Sequence, residues 1–262
     1  MKEVALLLSI ALAPYLLLRP IIIILIIIIF LSSQNNNQNN KTSKPDHNVQ
    51  KRVLLCVSGS VAAVKTPEIV NMLLREGCYV DIVFSKAGRF FMDVEYKGET
   101  PLNRLAPALL LRDSTGTKYV ETWTDEDEWN TYKRVGDDVV HINLAKRNSV
   151  LLIAPLDANT LARISLGLCP NLLTCTVRAW GWSLRQESSS SSLRPIVVAP
   201  AMNTQMWYQL ITQHHLDTII KRGARVVSPQ VKTLACGDHG KGAMANPKDI
   251  VRVVLNAMKN TT

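Results

Sequence analysis

Four short apolar runs set the terms on which this chain can fold. Arg52 to Ser58, Tyr79 to Phe84, Val150 to Ala154 and Ile196 to Ala199 are each too short for a stable helix. None shows the strict polar alternation of a strand wetted on one face, so each reads as a strand covered on both faces. Segments with helical spacing follow them: Ser60 to Arg75, with Val61, Val64, Ile69, Leu73 and Leu74 among its apolar residues, then Lys86 to Met92, the residues to about Leu168, and Thr204 to Arg222. Strands alternating with helices predict a parallel sheet with right-handed crossovers. The expected fold class is α/β, a flavodoxin-like, three-layer, doubly wound parallel sheet of Rossmann-like type. Arg225 to Ser228 adds a last strand, Asn171 to Trp180 a helix, and Pro247 to Lys259 a closing helix with proline in its first turn.

Elsewhere the pattern is weaker. Asp93 to Thr122 contains Gly98, Pro101, Pro107 and Gly116 and loses its period, so it reads as a long loop. Val139 to Leu144 reads as a strand or a strand-to-helix passage. Gly181 to Arg194, with serine from 188 to 192, is a flexible connection, and Lys232 to Ala245 a glycine-punctuated loop.

The N-terminal part follows other rules. Val4 to Leu18 and Ile21 to Leu31 are apolar, split by Arg19-Pro20, and neither half alone has the ~20 residues that cross a bilayer. Residues 1–31 are therefore a membrane anchor, kinked at the proline, or a non-native extension. Membrane contact is expected only if residues 4–31 insert. The lysines and arginines that follow would then hold the main domain on the cytoplasmic side. Residues 32–50 are an Asn/Gln-rich linker that cannot build a core. Residues 51–262 remain, a comfortable length for one domain.

A net charge of +9 is spread without a basic run or stripe, so nucleic-acid binding is not expected, while a phosphorylated small molecule suits it. The five cysteines form no CxxC pair; reduced thiols and no metal site are the expectation.

Chemistry-bearing residues cluster where strands end, which is where open α/β sheets bind ligands. Ser58-Gly59-Ser60-Val61 offers a tight turn, two hydroxyls and a helix N-terminus, hence a phosphate site or an ordinary serine cap. Asp157-Ala158-Asn159-Thr160 likewise caps a helix or faces a ligand. Asn203, after the strand ending at Ala199, can orient a polar substrate beside Met206 and Trp207. His141 is a lone histidine among apolar residues, a core histidine or a base. Cys236, in a Gly-rich loop, is placed to donate a proton, unlike the four cysteines in apolar runs or helices.

Taken in order, SGSVAAVK (58–65), TDEDEW (124–129), VVHINL (139–144), APLDANT (154–160), NLLTCTVRAW (171–180), APAMNTQMW (199–207) and LACGDHGKGAMA (234–245) make a specific set. Over residues 52–259 the chain resembles the homo-oligomeric flavin-containing Cys decarboxylases, including the halotolerance proteins. The resemblance implies FMN, held by Gly59, Ser60 and Val61, with Ser85, Asp157, Ala158, Asn159, Thr160 and Ala201 completing its site. It implies His141 as catalytic base, Asn203 on the substrate carboxylate, and Met206 and Ala235 also at the substrate. FMN would oxidise the cysteinyl part of 4′-phosphopantothenoylcysteine and ease loss of CO2. Reduction, with Cys236 donating the proton, would give 4′-phosphopantetheine, a precursor of coenzyme A. It further implies a homotrimer with active sites between subunits.

A second implication is regulatory, since some fungal relatives inhibit a protein phosphatase. Those carry an acidic C-terminal tail, whereas this chain ends Lys259-Asn260-Thr261-Thr262. Three departures stand out: Ala145-Lys146-Arg147-Asn148-Ser149 replaces an Arg-Arg-Trp-Ala-Asp-like stretch, Pro170 stands where an aspartate precedes Asn171, and residues 93–122 and 181–194 are long.

Overall fold

Strands apolar at every position need a hydrophobic layer on each side, and β1 (Arg52–Val57) has both. Val53, Leu55 and Val57 face one layer and Leu54 and Cys56 the other, all fully buried. The structure, a computed structural model, describes residues 51–182, 194–233, 237 and 239–259. The expected anchor and linker at 1–50, and most of the serine-rich connection, lie outside the described residues.

After β1, a 3-10 turn (Val61–Lys65) leads into α1 (Thr66–Arg75), β2 (Tyr79–Phe84) and α2 (Lys86–Asp93). Then come α3 (Pro101–Leu110), β3 (Val120–Trp123), α4 (Asp125–Thr131), α5 (Val140–Arg147) and β4 (Val150–Leu156). The second half holds α6 (Ala158–Leu166), α7 (Leu172–Ala179), β5 (Ile196–Pro200), α8 (Thr204–Tyr208), α9 (Leu210–Lys221) and β6 (Ala224–Val226). A hairpin of β7 (Gln230–Thr233) and β8 (His239–Ala243) precedes α10 (Pro247–Lys259).

Six parallel strands form the main sheet in the order β3-β2-β1-β4-β5-β6, with α1, α3 and α10 packed on one face and α5, α6, α7 and α9 on the other. This is the expected doubly wound three-layer fold. The order of connection reverses between β1 and β4, so the crevice that such sheets offer to ligands opens at their carboxyl ends. Among the described residues no helix is long and apolar enough to cross a membrane.

Four local expectations are corrected. Asp93 to Thr122 is not a structureless loop: Thr100 caps α3 by accepting from Asn103 N at 3.1 Å, and Pro101 occupies the first turn. Pro107 does not end α3, because Leu105 and Ala108 bury against the core. Val139 to Leu144 belongs mostly to a helix, whose start is secured from elsewhere in the chain (below). Thr204 to Arg222 breaks into α8 and α9 at Gln209, which is extended (φ −64°, ψ 137°). Within Lys232 to Ala245, β7 and β8 pair antiparallel, with glycines at points of close approach rather than in a free loop.

One charge lies wholly inside. Asp81 on β2 is 1% exposed and accepts from Arg147 Nε at 2.8 Å, Asn148 Nδ2 at 2.8 Å and Trp123 Nε1 at 3.2 Å, with a second bond from the Arg147 guanidinium. Two of these partners belong to the 145–149 stretch that departs from the family pattern. Those residues supply donors that a buried charge on β2 demands.

Candidate active site

The loops after β1 and β4 are stapled by a hydroxyl. Ser58, fully buried, donates from Oγ to Pro155 O at 2.8 Å and accepts from Asp157 N at 2.8 Å. Both of its hydrogen-bonding roles are thereby used within the chain, which corrects its reading as a phosphate ligand. Gly59 follows in a space with no room for a side chain. A Cβ there would lie 2.6 Å from Ala87 Cβ and 3.3 Å from Asp157 Oδ2. Gly88 is tighter still, its missing Cβ falling 2.2 Å from Val57 O. These two glycines let the starts of α2 and α6 close around the end of β1.

Ser60, Ser85 and Asp157, three of the predicted polar residues, also cap helices. Ser60 accepts from Ala62 N at 3.3 Å, Ser85 from Gly88 N at 3.0 Å and Asp157 from Thr160 N at 2.9 Å. The capping and ligand-binding readings are therefore compatible, since a cap satisfies only part of the first turn's N–H groups.

Two cavities open at this end of the sheet. One, of about 480 Å³, is lined by Ser60, Val61, Ala201 and Asn203, and by Lys65, Tyr96 and Lys232. The other, of about 320 Å³, is lined by Ser85, Lys86, Ala87, Asp157, Asn159, Thr160, Arg163 and Asn171. The predicted flavin residues are thus divided between neighbouring cavities, with Gly59 set against Ala87 and Asp157 of the second. Ala158 lines neither and packs on the core. A phosphate requires N–H donors, cations and close backbone approach. The second cavity offers the first-turn N–H groups of Lys86 and Ala87 and the cations Lys86 and Arg163, opposed by Asp157. These residues fit a flavin mononucleotide phosphate.

The β5 loop is pinned from two sides: Ala201 N donates to Leu156 O at 2.9 Å and Met202 N to Gly242 O at 3.0 Å. A Cβ on Gly242 would stand 2.3 Å from Met202 O, so this glycine lets β8 lie against the loop. Asn203 caps α8 through Oδ1, which accepts from Gln205 N at 2.7 Å, while Met206 is exposed and outside both linings. Ala235 and Cys236 lie outside the described residues.

His141 sits in the first turn of α5. Glu128 on α4 approaches it twice: Oε1 lies 2.6 Å from Nδ1, and Oε2 accepts from the His141 backbone N–H at 3.0 Å. This carboxylate supplies the cap that Val139 lacks and fixes the imidazole at once. A carboxylate accepts, so Nδ1 carries a hydrogen, and in the neutral imidazole Nε2 is then the nitrogen with the lone pair. Glu128 lies within the TDEDEW motif, which by itself assigns it no role. Its 13-residue separation from His141 has no helical or strand period, so nothing local signals the pairing. His141 lines neither cavity.

The flavoprotein family model matches residues 41–259. The phosphopantothenoylcysteine decarboxylase of Oryza sativa subsp. japonica is 43% identical over 213 residues, covering 81% of this chain and 83% of the rice protein. A solved cysteine-to-serine variant of a PPC decarboxylase, complexed with pantothenoylaminoethenethiol, is 38% identical with a TM-score of 0.64 over 80% of this chain and 99% of that one. The FMN-binding protein AtHal3, also 38% identical, superposes with a TM-score of 0.63 over 81% and 99% of the two chains. By sequence over most of its length and by fold, this chain belongs to the flavoprotein family.

Proposed function

We propose that this protein binds FMN and decarboxylates 4′-phosphopantothenoylcysteine to 4′-phosphopantetheine, a step of coenzyme A synthesis. The observation that carries this reading is the closure of three strand-end loops around Gly59, where Ala87 and Asp157 pack against the glycine and the adjoining cavity is lined by first-turn N–H groups and two cations. When bound, FMN supplies the two-electron chemistry that makes the cysteinyl carboxylate a leaving group.

The chain's own residues bind, orient and move protons. Ser85 and the first-turn N–H groups of α2, beside Gly59, hold the flavin phosphate, and Ser60, Val61 and Ala201 on the larger cavity's wall, with Asp157 to Thr160, flank the rest of the cofactor. Asn203 binds the substrate carboxylate, with Met206 and Ala235 beside it. His141, its Nδ1 held by Glu128, takes a proton at Nε2. Cys236 returns one to the product. A homotrimer with sites between subunits accords with His141 lying outside both cavity linings of the single chain.

The test is anaerobic incubation of the flavin-loaded protein with 4′-phosphopantothenoylcysteine, following CO2 and the flavin absorption. Release of CO2 that depends on bound FMN is expected. A purified protein that neither retains flavin nor takes it up would overturn the proposal.

A further inference from the structure

Among the described residues, two cysteines are buried singly and two lie together. Cys56 and Cys78 are buried, and burial pushes both thiols well above their ordinary value. Cys169 and Cys175, six residues apart, belong to none of the machinery above. Cys175 Sγ donates to the carbonyl oxygen of Cys169 at 3.2 Å, and neither cysteine is in a disulfide. Cys169 is exposed and Cys175 half-buried, so the pair opens to solvent at Cys169.

The local chain sets both thiols in place. Pro170 keeps Cys169 extended, because the residue before a proline is held out of the helical region. Asn171 then caps α7, accepting from Thr174 N at 2.9 Å, and Cys175 stands in the helix with its backbone N–H donating to Asn171 O at 2.9 Å. Burial first, and then charge and a hydrogen bond shared with the Cys169 thiol, push the Cys175 thiol up to about 11. The oxygen that Cys175 contacts is two bonds from the Cys169 Cα, which puts this sulfur within reach of a side chain that rotates on that carbon. A disulfide tolerates Cα atoms up to about 7 Å apart. Pro170, in place of the aspartate named above, also keeps a negative charge from between the two thiols, where it would disfavour a thiolate.

We propose that Cys169 and Cys175 are a site of reversible oxidation by hydrogen peroxide, closing to an intrachain disulfide. The exposed Cys169 reacts first: its thiolate displaces hydroxide from the peroxide and becomes a sulfenic acid. Cys175 then displaces hydroxide from that sulfur, and its own proton leaves with the hydroxide as water. Two thiols and one peroxide thus give one disulfide and two waters. The raised Cys175 thiol suits the second step, since it stays protonated and unreactive until its partner is oxidised. The bond closes around Asn171, which lines the second cavity, so the oxidised pair borders the proposed flavin site.

The test treats the full chain with a small molar excess of hydrogen peroxide, blocks the remaining thiols and digests with trypsin. Cleavage after Arg163 and Arg178 leaves both cysteines, and no other, in the peptide 164–178. That peptide should be lighter by two hydrogens and carry no blocking group, and dithiothreitol added before blocking should reverse the change. Cys175→Ser should leave a sulfenic acid on Cys169 that dimedone traps. Cys169→Ser, at an exposed position, should leave Cys175 unoxidised. A peptide with both thiols still blocked, Cys169 joined to Cys236 or to a second chain, or a sulfinic acid in place of the bridge would each overturn the assignment. Oxidation of Cys175 at the wild-type rate in Cys169→Ser would do the same.

Discussion

The cluster around Asp81 and the cluster at the carboxyl ends of β1, β4 and β5 are both polar, and they are built in opposite ways. Asp81 is closed on itself: Arg147, Asn148 and Trp123 all point their donors at one buried carboxylate. At the strand ends, Lys65 and Lys232 face a cavity without an ion pair among the described residues, and His141, in the first turn of α5 and outside both cavity linings, has one ring nitrogen engaged by Glu128 and the other not. A charge whose partners are complete contributes to holding the fold. Hydrogen-bonding capacity held open at a cavity is capacity kept for a ligand. Burial alone does not separate the two cases, but the count of satisfied bonds does.

The largest expected effect lies at the open cluster. His141→Ala should lower decarboxylation by about 10²–10⁴-fold while leaving thermal unfolding almost where it was, measured as CO2 release beside a melting curve. Near wild-type turnover would remove His141 from the chemistry and erase the contrast. Asp81→Ala should do the reverse. It leaves the buried Asn148 amide without its carboxylate and Arg147 with Glu121 alone, and should cost about 3 kcal/mol, lowering Tm on the order of 10 °C, with turnover per folded molecule preserved.

Gly88→Ala probes the boundary between the clusters, since a methyl group there meets Val57 O. A stability loss of about 1–3 kcal/mol is expected together with weaker FMN binding, seen by flavin fluorescence titration. Stability loss with FMN affinity intact would show that α2 does not serve the flavin. The smallest effect is Glu128→Gln. A neutral amide replaces a charge-assisted bond to Nδ1, costing about 1 kcal/mol, or about fivefold in kcat with KM unmoved.

The sheet was legible because a strand buried on both faces leaves an unmistakable apolar run, and β1, β2, β4 and β5 all stand where expected. β3 was hidden inside the stretch read as a loop. It is an edge strand, paired among the described residues with β2 alone, and Glu121 and Thr122 break its apolar signal. α3 was hidden by Pro107, a residue that ordinarily ends a helix, and which here is outweighed by the burial of Leu105 and Ala108. At the site, the loops were legible as glycine and capping residues at strand ends. The role of Ser58 was not, because its partners are Pro155 and Asp157, about a hundred residues away.

By itself the sequence determined the layers of this protein, the strand-end positions of its polar loops and the family to which it belongs, since periodicity and short motifs are local properties. Only the tertiary structure decided which polar residues are spent and which are held ready. It seated Glu128 on His141, consumed Ser58 as a staple, divided the flavin residues between two cavities and brought Lys65 opposite Lys232. Hydrogen bonds and Coulomb forces depend on distance through space, and packing the helices and loops around the sheet is what sets those distances.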